Sequence, residues 1–232
     1  MREGAASNAA HFARRAPATF GVSFRSKGTD NGDAMIETVP LTLSGDRVAL
    51  GPLRQKLASL YSQWEQDVGL AVLRGADLRP GIDDSGNPRV FVASSEPESA
   101  FFTIYETIYD SKAPRPIGIC ALRNVDHAHR TSDFSIFLGE RDTWGTGLGT
   151  EAARLTLDFA FHGLGLFNVG LRVRATDTRA ILSFERAGFR VIGKRRSSAR
   201  LGQGACDELL MDAIATDFAG ARAAVLVGDV SG

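Results

Sequence analysis

Three glycines alternate along one short tract of the chain, where Gly145, Gly147 and Gly149 lie between a strand-like run and a helix-like run. Alternate glycines permit a tight backbone turn that exposes several N–H groups. The helix that follows adds the partial positive charge of its N-terminus. Thr150 comes directly after the third glycine and supplies either a hydroxyl donor or a cap for that helix. The tract is therefore suited to hold an anion of the size of a pyrophosphate.

The spacing of these glycines excludes two common nucleotide-binding motifs. A dinucleotide fingerprint requires GxGxxG at the first turn of a parallel unit and an acidic residue at the end of the next strand. This tract reads GxGxG, and Arg172 and Arg174 follow it on the next predicted strand. A P-loop requires Lys and then Ser or Thr directly after its glycines, and neither follows here.

Three strand-like runs precede the glycine tract and must position it. Residues 100–106, 116–122 and 132–138 read as strands separated by turn residues, which predicts an antiparallel meander. Helical periodicity follows at residues 150–162 and 178–187, and Gly188 ends the second of these helices. Further strands are predicted at residues 46–50, 169–173, 189–192 and 206–214. This order predicts an α/β domain with a mixed sheet.

The two helical windows that flank the meander each carry a one-sided pattern. The first helix, before residue 70, has an apolar stripe made by Leu53, Leu57, Leu60, Trp64 and Val68. The helix at residues 150–162 has a polar stripe that we expect to face solvent, made by Glu151, Arg154, Asp158 and His162. The rest of that helix is Ala, Leu and Phe, which predicts that it packs against the sheet.

The domain occupies the middle of the chain. Residues 1–40 are small, polar or glycine-rich without an apolar period, which predicts a disordered N-terminal extension. Residues 41–219 form the predicted domain, residues 79–88 form a loop within it, and residues 220–232 form a C-terminal tail.

Composition narrows the class of protein. The 232 residues are 44% hydrophobic and 23% charged, with 27 basic against 27 acidic side chains and a net charge of +0. Zero net charge argues against bulk electrostatic binding to nucleic acid or membrane. The two cysteines, Cys120 and Cys206, lie far apart, so we expect no disulfide framework and no thiolate metal site. The chain has no apolar run of about 18 residues and no secretory signal, which predicts a cytoplasmic protein.

At these motifs the sequence resembles the GNAT N-acetyltransferase superfamily, and within it the ribosomal-protein N-acetyltransferase-like branch. The tract WGTGLGTEA at residues 144–152 is similar to that branch's pyrophosphate loop, with Trp144 where the wider superfamily often has Gln or Arg. Residues 178–189 are similar to its NxRAIxxYExxGF segment, and residues 207–211 to its closing DxxxM strand. Trp64 and Asp67 match its WxxD pair. The resemblance covers residues 41–218.

The resemblance implies a GNAT fold, which is a mixed, mostly antiparallel, splayed sheet flanked by helices. It implies acetyl-CoA as the acyl donor, with its pantetheine arm in the gap between the strand that ends at Gly139 and the strand that starts near Asn168, and no metal. A backbone N–H near Leu138 is the implied oxyanion donor. The implied donor-binding residues are Phe137, Leu138, Trp144, Gly145, Thr146, Gly147, Leu148, Gly149, Thr150, Asp177, Arg179 and Phe184.

Two positions depart from the family pattern. Asp177 stands where the family usually has Asn, which keeps a short hydrogen-bonding side chain and adds a negative charge. Phe184 stands where many members have the Tyr that protonates the departing thiolate, and a phenyl ring has no proton to give. Water or the product ammonium is left as the proton source.

An acetyl transfer to an amine also needs a base, because the attacking nitrogen must lose a proton. Our candidates for this carboxylate are Glu140, Asp207 and Glu106, in that order. Each of them has the alternative reading of a surface or strand-end carboxylate. A water chain is the alternative to a direct base.

Other reactive side chains have simpler readings. His127 and His129 lie on a predicted hairpin turn and should face solvent, and Cys120 and Cys206 fall in strand patterns as small core residues. Six basic residues lie close together in the chain: Arg186, Arg190, Lys194, Arg195, Arg196 and Arg200. Three interpretations stay open for them, namely a solvated face, a contact for CoA or substrate anions, and a contact for RNA phosphates.

We expect an N-acetyltransferase that passes an acetyl group from acetyl-CoA to a primary amine of a small molecule or protein N-terminus in a direct ternary complex. Two alternatives stay open: an acyltransferase of the same fold that takes an aminoacyl-tRNA as donor, and an acyl-CoA-binding module without catalysis. The expected partner is a small-molecule or peptide amine, with tRNA as the one possible nucleic acid, no membrane contact, and a monomeric or homodimeric state.

Overall fold

The structure is a computed structural model that describes residues 20–24, 37–67, 88–96, 98–107, 114–201 and 204–220. The strands among these residues are β1 (Phe20–Phe24), β2 (Glu37–Leu41), β3 (Leu43–Ser44), β4 (Val48–Pro52), β5 (Ala100–Glu106), β6 (Arg115–Asp126), β7 (Thr131–Leu138), β8 (Asn168–Arg174), β9 (Arg190–Leu201) and β10 (Gly204–Ile214). The α-helices are α1 (Ala58–Gln66), α2 (Arg89–Ser94), α3 (Leu148–Asp158) and α4 (Thr178–Ala187). None of the helices described has the length and apolar character needed to cross a membrane.

Eight of these strands form one sheet in the order β3-β4-β5-β6-β7-β8-β10-β9. Strands β4 to β7 run antiparallel in chain order, which confirms the predicted meander. Strands β8, β10 and β9 are also antiparallel to one another. The one parallel pair is β7 with β8, at the centre of the sheet. The predicted class, an α/β fold with a mixed, mostly antiparallel sheet, is confirmed.

The central parallel pair is joined along only part of its length. Its register runs from Thr131 opposite Asn168 to Asp133 opposite Gly170 and goes no further. Strand β7 continues to Leu138 and β8 continues to Arg174, so the two strands separate after their first residues. The sheet is therefore splayed at the position that the sequence predicted.

The two faces of the sheet have different covers. Helices α3 and α4 pack on one face, where Leu148, Leu155 and Ala187 join the largest cluster of buried apolar side chains. Helices α1 and α2 cover the other face, where Tyr61 and Val90 pack with the strands of the meander. We call these the α3/α4 face and the α1/α2 face.

Alternation assigns each strand residue to one of these faces. On β8, Val169, Leu171 and Val173 belong to the buried cluster of the α3/α4 face. Because successive side chains of a strand point to opposite faces, Arg172 and Arg174 point to the α1/α2 face.

Local signals in the sequence set the helix ends. The Asp177 carboxylate accepts a hydrogen bond of 3.0 Å from the Ala180 N–H and so caps α4. Gly188 ends that helix with a φ of 117°, in the left-handed region that favours glycine, as predicted. Helix α3 starts at Leu148 and gives way to a π-helical turn at Phe159–Gly163.

The polar stripe predicted on this helix is only partly correct. Arg154 and His162 are exposed, but Asp158 is buried at 5% exposure and pairs with His162 Nδ1 at 3.0 Å. The Glu151 carboxylate is half-buried because it accepts the backbone N–H groups of Arg47 and Val48 at 2.8 and 3.0 Å. The partners of Glu151 come from a distant strand, so helical periodicity cannot reveal them.

Other boundaries differ from the sequence expectation. The first helix is shorter than its apolar stripe, because a 3₁₀ turn at Gln55–Leu57 precedes α1 and Val68 lies outside the described residues. Strands β1 and β2 pair antiparallel within the segment that we predicted to be disordered. Three predicted segments lie largely outside the described residues: most of residues 1–40, residues 79–87 of the loop, and the tail from residue 221 onward. Their assignments stay predictions.

Candidate active site

The gap between β7 and β8 opens into a cleft of about 1170 Å³. One wall is β7 from Phe134 to Leu138, and the other is β8 from Leu171 to Arg174. The glycine tract and the start of α4 close one side, and residues of α1 and α2 line the other. The cleft therefore passes through the sheet and connects its two faces.

The backbone of β7 presents polar groups to this gap that no β8 ladder receives, although Leu138 O accepts a hydrogen bond from Trp144 Nε1. Gly139 N–H donates to Ile117 O at 2.9 Å, and hydrogen-bonding direction alternates along an antiparallel strand, so Leu138 and Ile136 point their N–H and C=O groups away from β6. Beyond Asp133 there is no β8 ladder to receive them. The position of Leu138 supports its predicted role as an oxyanion donor.

The glycine tract forms a turn whose conformation requires two of its glycines. Gly145 and Gly147 have φ values of 76° and 91°, in the left-handed region. A Cβ at either position would meet nothing within 4 Å, so the requirement comes from the backbone and the space beside it is open. Gly147 is the N-cap of α3 and has no capping side chain, which leaves the first N–H groups of the helix available to an anion.

Trp144 directly precedes the first glycine of this loop. Its indole Nε1 donates to Leu138 O at 3.2 Å, so the ring lies at the mouth of the gap. The guanidinium carbons of Arg179 and Arg141 lie 4.9 and 5.6 Å from its ring centroid. These distances are within the range of cation–π contact. Arg179 is exposed and lines the cleft, so it can also reach an anion held there.

Helix α1 holds the start of the loop in place through the WxxD pair. Trp64 Nε1 donates to Glu140 Oε1 at 2.9 Å, and both Asp67 oxygens accept from Arg141 at 3.0 and 3.1 Å. A Cβ at Gly139 would overlap the Trp64 ring. The pair therefore fixes residues 139–141, directly after the strand that lines the gap.

Two of the predicted donor-binding residues do not line the cleft. The Leu148 side chain is 1% exposed in the core, and the Thr146 hydroxyl donates to Thr143 O at 2.6 Å while its carbonyl accepts from Arg47 at 3.0 Å. The other predicted donor-binding residues all line the cleft. Thr150 does not cap α3: its hydroxyl lies 2.7 Å from Ser183 Oγ and joins α3 to α4 across the cleft wall.

The two departures from the family pattern have clear structural settings. Asp177 acts as the N-cap of α4, and its charge lies at the end of a helix where a negative charge is favoured. Phe184 lines the cleft and packs edge-to-face on Phe134, with a centroid distance of 6.3 Å, and on Phe189, with 5.9 Å. The ring fills space there and offers no proton.

Two of the three predicted bases lie in one ionic cluster around Arg115. Glu140 Oε2 accepts from Arg115 at 3.0 Å, Asp142 accepts at 2.7 Å, and Glu106 lies 3.9 Å away. Hydrogen bonds to Asp142 and Glu140 raise the pKa of Arg115, and its guanidinium lowers the pKa of Asp142. Both oxygens of Glu140 have partners, and neither Glu140 nor Glu106 lines the cleft. This geometry does not favour either as a base.

The third predicted base, Asp207, points to the wrong face. Its carboxylate accepts from Ser197 N at 2.9 Å and pairs with Lys194 at 3.0 Å, and these two contacts lower the pKa of Asp207. The next residue, Glu208, lines the cleft instead. A strand reverses its side chains at every residue, so a placement one position off exchanges the two faces.

Sequence reasoning missed Glu208, although its register makes it the best-placed carboxylate. Glu208 lies opposite Arg174 of β8. If β7 and β8 are followed for equal numbers of residues from their paired start at Thr131 and Asn168, Arg174 is level with Phe137 across the gap. The nearest ionic partner of Glu208 is Arg195 at 3.7 Å. The other acidic side chains among the described residues that line the cleft accept hydrogen bonds from backbone N–H groups. Asp177 caps α4, and both oxygens of Glu65 accept N–H groups at the start of α2.

The remaining candidates for chemistry lie elsewhere. Cys120 is buried beside Thr156 at 3.3 Å, and burial raises the pKa of its thiol to about 12, so it is a poor nucleophile. His127 and His129 are exposed on the turn after β6, and a hydrogen bond to Asp126 raises the pKa of His129. Within the described residues, no three His, Cys, Asp or Glu side chains gather as metal ligands.

Three of the six residues in the predicted basic run are paired at the sheet edge. Arg190 pairs with Asp217 at 2.8 Å, Lys194 with Asp207 at 3.0 Å and Arg195 with Glu208 at 3.7 Å. Arg186, on α4, lines the cleft. Half of the run is thus held in ion pairs, and one further member lies at the site.

Comparison with known proteins agrees with this architecture. A family model described as an acetyltransferase (GNAT) domain matches residues 47–190. The spermidine N(1)-acetyltransferase of Escherichia coli strain K12 is 34% identical over 137 residues, which is 59% of this chain and 64% of that protein. The match thus spans a little under two thirds of that curated relative's length.

Solved structures show the same fold at low identity. A spermidine N-acetyltransferase from Vibrio cholerae, in complex with CoA and spermine, superposes with a TM-score of 0.65 at 16% identity over 74% of this chain and 98% of that one. RimJ from Mycobacterium smegmatis, in complex with CoA-disulfide, gives a TM-score of 0.64 at 21% identity over 81% of this chain and 91% of that one.

Proposed function

Because the chain belongs to the GNAT acetyltransferase family, we propose that it transfers the acetyl group of acetyl-CoA to a primary amine within a direct ternary complex. The observation that supports this best is the gap between β7 and β8, with a glycine loop at one side of it. The gap presents backbone donors from one strand to a cleft that opens to both faces of the sheet.

The donor half of this site suits the parts of acetyl-CoA in order. The turn at Gly145 to Gly149 and the N-terminus of α3 would hold the pyrophosphate through backbone N–H groups, since no side chain fills the space there. Arg179 and Arg186, on the same side of the cleft, supply positive charge for phosphates. The backbone groups of β7 that face the gap would hydrogen-bond the amides of the pantetheine arm.

The thioester then lies at the end of β7. The Leu138 N–H is aimed at the gap, where it can stabilise the negative charge that develops on the acetyl oxygen. The amine approaches from the α1/α2 face, forms the new C–N bond at the thioester carbon, and the C–S bond breaks. Holding both reactants in one cleft supplies much of the rate.

The amine proton leaves through Glu208, directly or by one water. Its carboxylate is level with the end of β7 and lines the cleft, and Arg195, 3.7 Å away, is its ion-pair partner. The departing CoA thiolate needs no strong acid, because thiols have pKa values near 8.5. It takes its proton from solvent, since Phe184 has none to give.

The acceptor is a small-molecule or peptide amine. The curated relatives and several structural neighbours are spermidine acetyltransferases, so polyamines belong in any first screen, beside peptides with a free N-terminus. We infer action in the cytoplasm, where acetyl-CoA is available.

The test has two stages. The first measures binding of acetyl-CoA and of CoA by thermal shift and calorimetry, where saturation at about 100 times Kd should stabilise the fold by about 2.7 kcal/mol. The second measures thiol release with an amine panel. Turnover that depends on both substrates and on Glu208 supports the proposal.

The other outcomes separate the alternatives. Tight acetyl-CoA binding with no turnover on any amine would favour a binding module without catalysis. Failure to bind CoA, with binding of aminoacyl-tRNA that falls steeply as salt rises, would favour the other acyl donor.

A further inference from the structure

The α1/α2 face of the cleft has an unusual charge for a site that binds amines. Over the meander this face is covered by α1 and α2, and beyond β7 it continues onto β8 and β10. The strand alternation places Arg172 and Arg174 there, beside Glu208. An amine that approaches Leu138 from this face must pass these side chains.

Arg172 is the exposed member of this group. It lines the main cleft and also a smaller cavity of about 230 Å³ that continues along the same face. No carboxylate among the described residues lies within ion-pair distance of it. Asp133, which lines the smaller cavity, instead accepts a hydrogen bond of 2.8 Å from Asn124.

The other charges on this side do not cancel Arg172. Arg174 is 8% exposed and lies opposite Glu208, so these two opposite charges face each other. Arg89 also lines the cleft, and both oxygens of Glu65 are bound to the N–H groups that start α2. The described acceptor side therefore has an excess of guanidinium over available carboxylate.

These arginines are not needed by the donor. The glycine turn, α3 and α4 lie on the opposite face, where Arg179 and Arg186 are available to phosphates. The charge at Arg172 thus belongs to the side from which the acceptor comes. A guanidinium binds carboxylates and phosphates through paired, directional hydrogen bonds.

We propose that the acceptor carries an anionic group, a carboxylate or a phosphate, near its primary amine, and that Arg172 binds this group. This inference rests on the acetyl transfer proposed above. A polyamine needs carboxylates to hold its several positive charges, and the Arg172 guanidinium would repel those charges. The specificity of this chain then differs from that of its spermidine-acetylating relatives.

The experiment compares acceptors that differ only in the anion. The pairs are β-alanine with propylamine, phosphoethanolamine with ethanolamine, and an alanyl dipeptide with its C-terminal amide, and spermidine is added as the polyamine. Rates of thiol release are measured with saturating acetyl-CoA, for the full-length wild type, Arg172→Glu and the control Arg154→Glu. Arg154 is an exposed residue of α3 on the other face.

We expect the anionic member of at least one pair to be preferred by about tenfold or more in kcat/KM, the effect of one charge-assisted contact. Arg172→Glu should remove that preference through KM and raise the rate with spermidine, and Arg154→Glu should change neither. The first two pairs tell carboxylate from phosphate.

Two results would overturn the inference while the acetyl transfer stands. If the wild type prefers spermidine or the neutral amines, the acceptor class is wrong. If Arg172→Glu leaves an anionic preference intact, Arg172 does not bind the anion. If no amine is acetylated although acetyl-CoA binds, both proposals fail together, and the calorimetric titration identifies that case.

Discussion

The two halves of the cleft, as assigned in the proposed function, would recognise their ligands in different ways. On the α3/α4 face, the donor half is built from the glycine turn, the start of α3 and the groups of β7 that face the gap, which are mostly backbone. On the α1/α2 face, the acceptor half is built from side chains of β8, β10, α1 and α2. Backbone donors suit a ligand that is always the same, and side chains can be exchanged to suit a new one.

The halves also differ in how far apart their parts lie in the chain. The donor half comes from residues 134–150 and 177–186, two continuous segments. The acceptor half joins residues from positions 65, 89, 172 and 208. A local motif therefore encodes the donor half, whereas the acceptor half exists only after folding.

The largest expected effect is on the acceptor half. Glu208→Gln should lower kcat/KM about 100-fold, the usual contribution of a general base, while leaving the Kd for acetyl-CoA unchanged. A stopped assay of thiol release at saturating acetyl-CoA measures this loss.

Asp207→Asn is the matched control, because Asp207 is the chain neighbour of Glu208 and bonds to Lys194 and Ser197 on the other face. It should keep kcat/KM near the wild-type value. Equal losses in both variants would mean that this face of β10 does not contain the base.

The next effect isolates the donor half. Gly147→Val forces a β-branched residue to a φ of 91°, which costs about 1–3 kcal/mol, so the turn should distort and acetyl-CoA binding should weaken roughly 5- to 150-fold. Calorimetry measures this Kd directly.

The control for this variant is Gly165→Val, because Gly165 also has a left-handed φ, of 68°, with nothing within 4 Å of an added Cβ, but does not line the cleft. This variant should bind acetyl-CoA as the wild type does. A normal Kd in a folded Gly147→Val variant would show that the turn does not hold the donor.

The smallest effect tests the link between the halves. Trp64 belongs to the helix that covers the acceptor side, yet it bonds Glu140 just before the glycine loop. Trp64→Phe removes that donor to a charged group and should lower the free energy of unfolding by about 1.5–3 kcal/mol. A denaturant titration measures the loss.

Asp67→Asn removes only the half-exposed pair with Arg141, and should cost less than about 1 kcal/mol. If Trp64→Phe also weakens acetyl-CoA binding while Asp67→Asn does not, α1 transmits acceptor-side packing to the donor loop. No change in binding for either variant would mean that the halves are independent.

Most of the residues predicted for the donor half line the cleft, and the reason is local. The three glycines, the caps of α4 and the alternating strands each depend on neighbours within a few residues, so their pattern survives in the linear order. The differences arise where packing between elements decides. The Thr150 hydroxyl, for which a helix cap was one of two readings, lies 2.7 Å from Ser183 Oγ on another helix, and Asp158, which the helical stripe predicted to face solvent, is buried.

The predicted bases show the same limit. Glu140 has the right place in the chain, but both of its oxygens are held by Trp64 and Arg115, which come from two other segments. Asp207 and Glu208 are adjacent, and the register between β10 and β8 alone decides which one faces the cleft. No spacing within residues 204–214 contains that information.

The sequence by itself determined the family, the order of strands and helices, and the loop suited to a pyrophosphate, because short-range backbone requirements leave short-range patterns. Only the tertiary structure decided which face each strand residue takes, which carboxylates line the cleft, and that Arg172 lies on the α1/α2 face. Those properties depend on which distant segments meet, and burial and electrostatics act through space rather than along the chain.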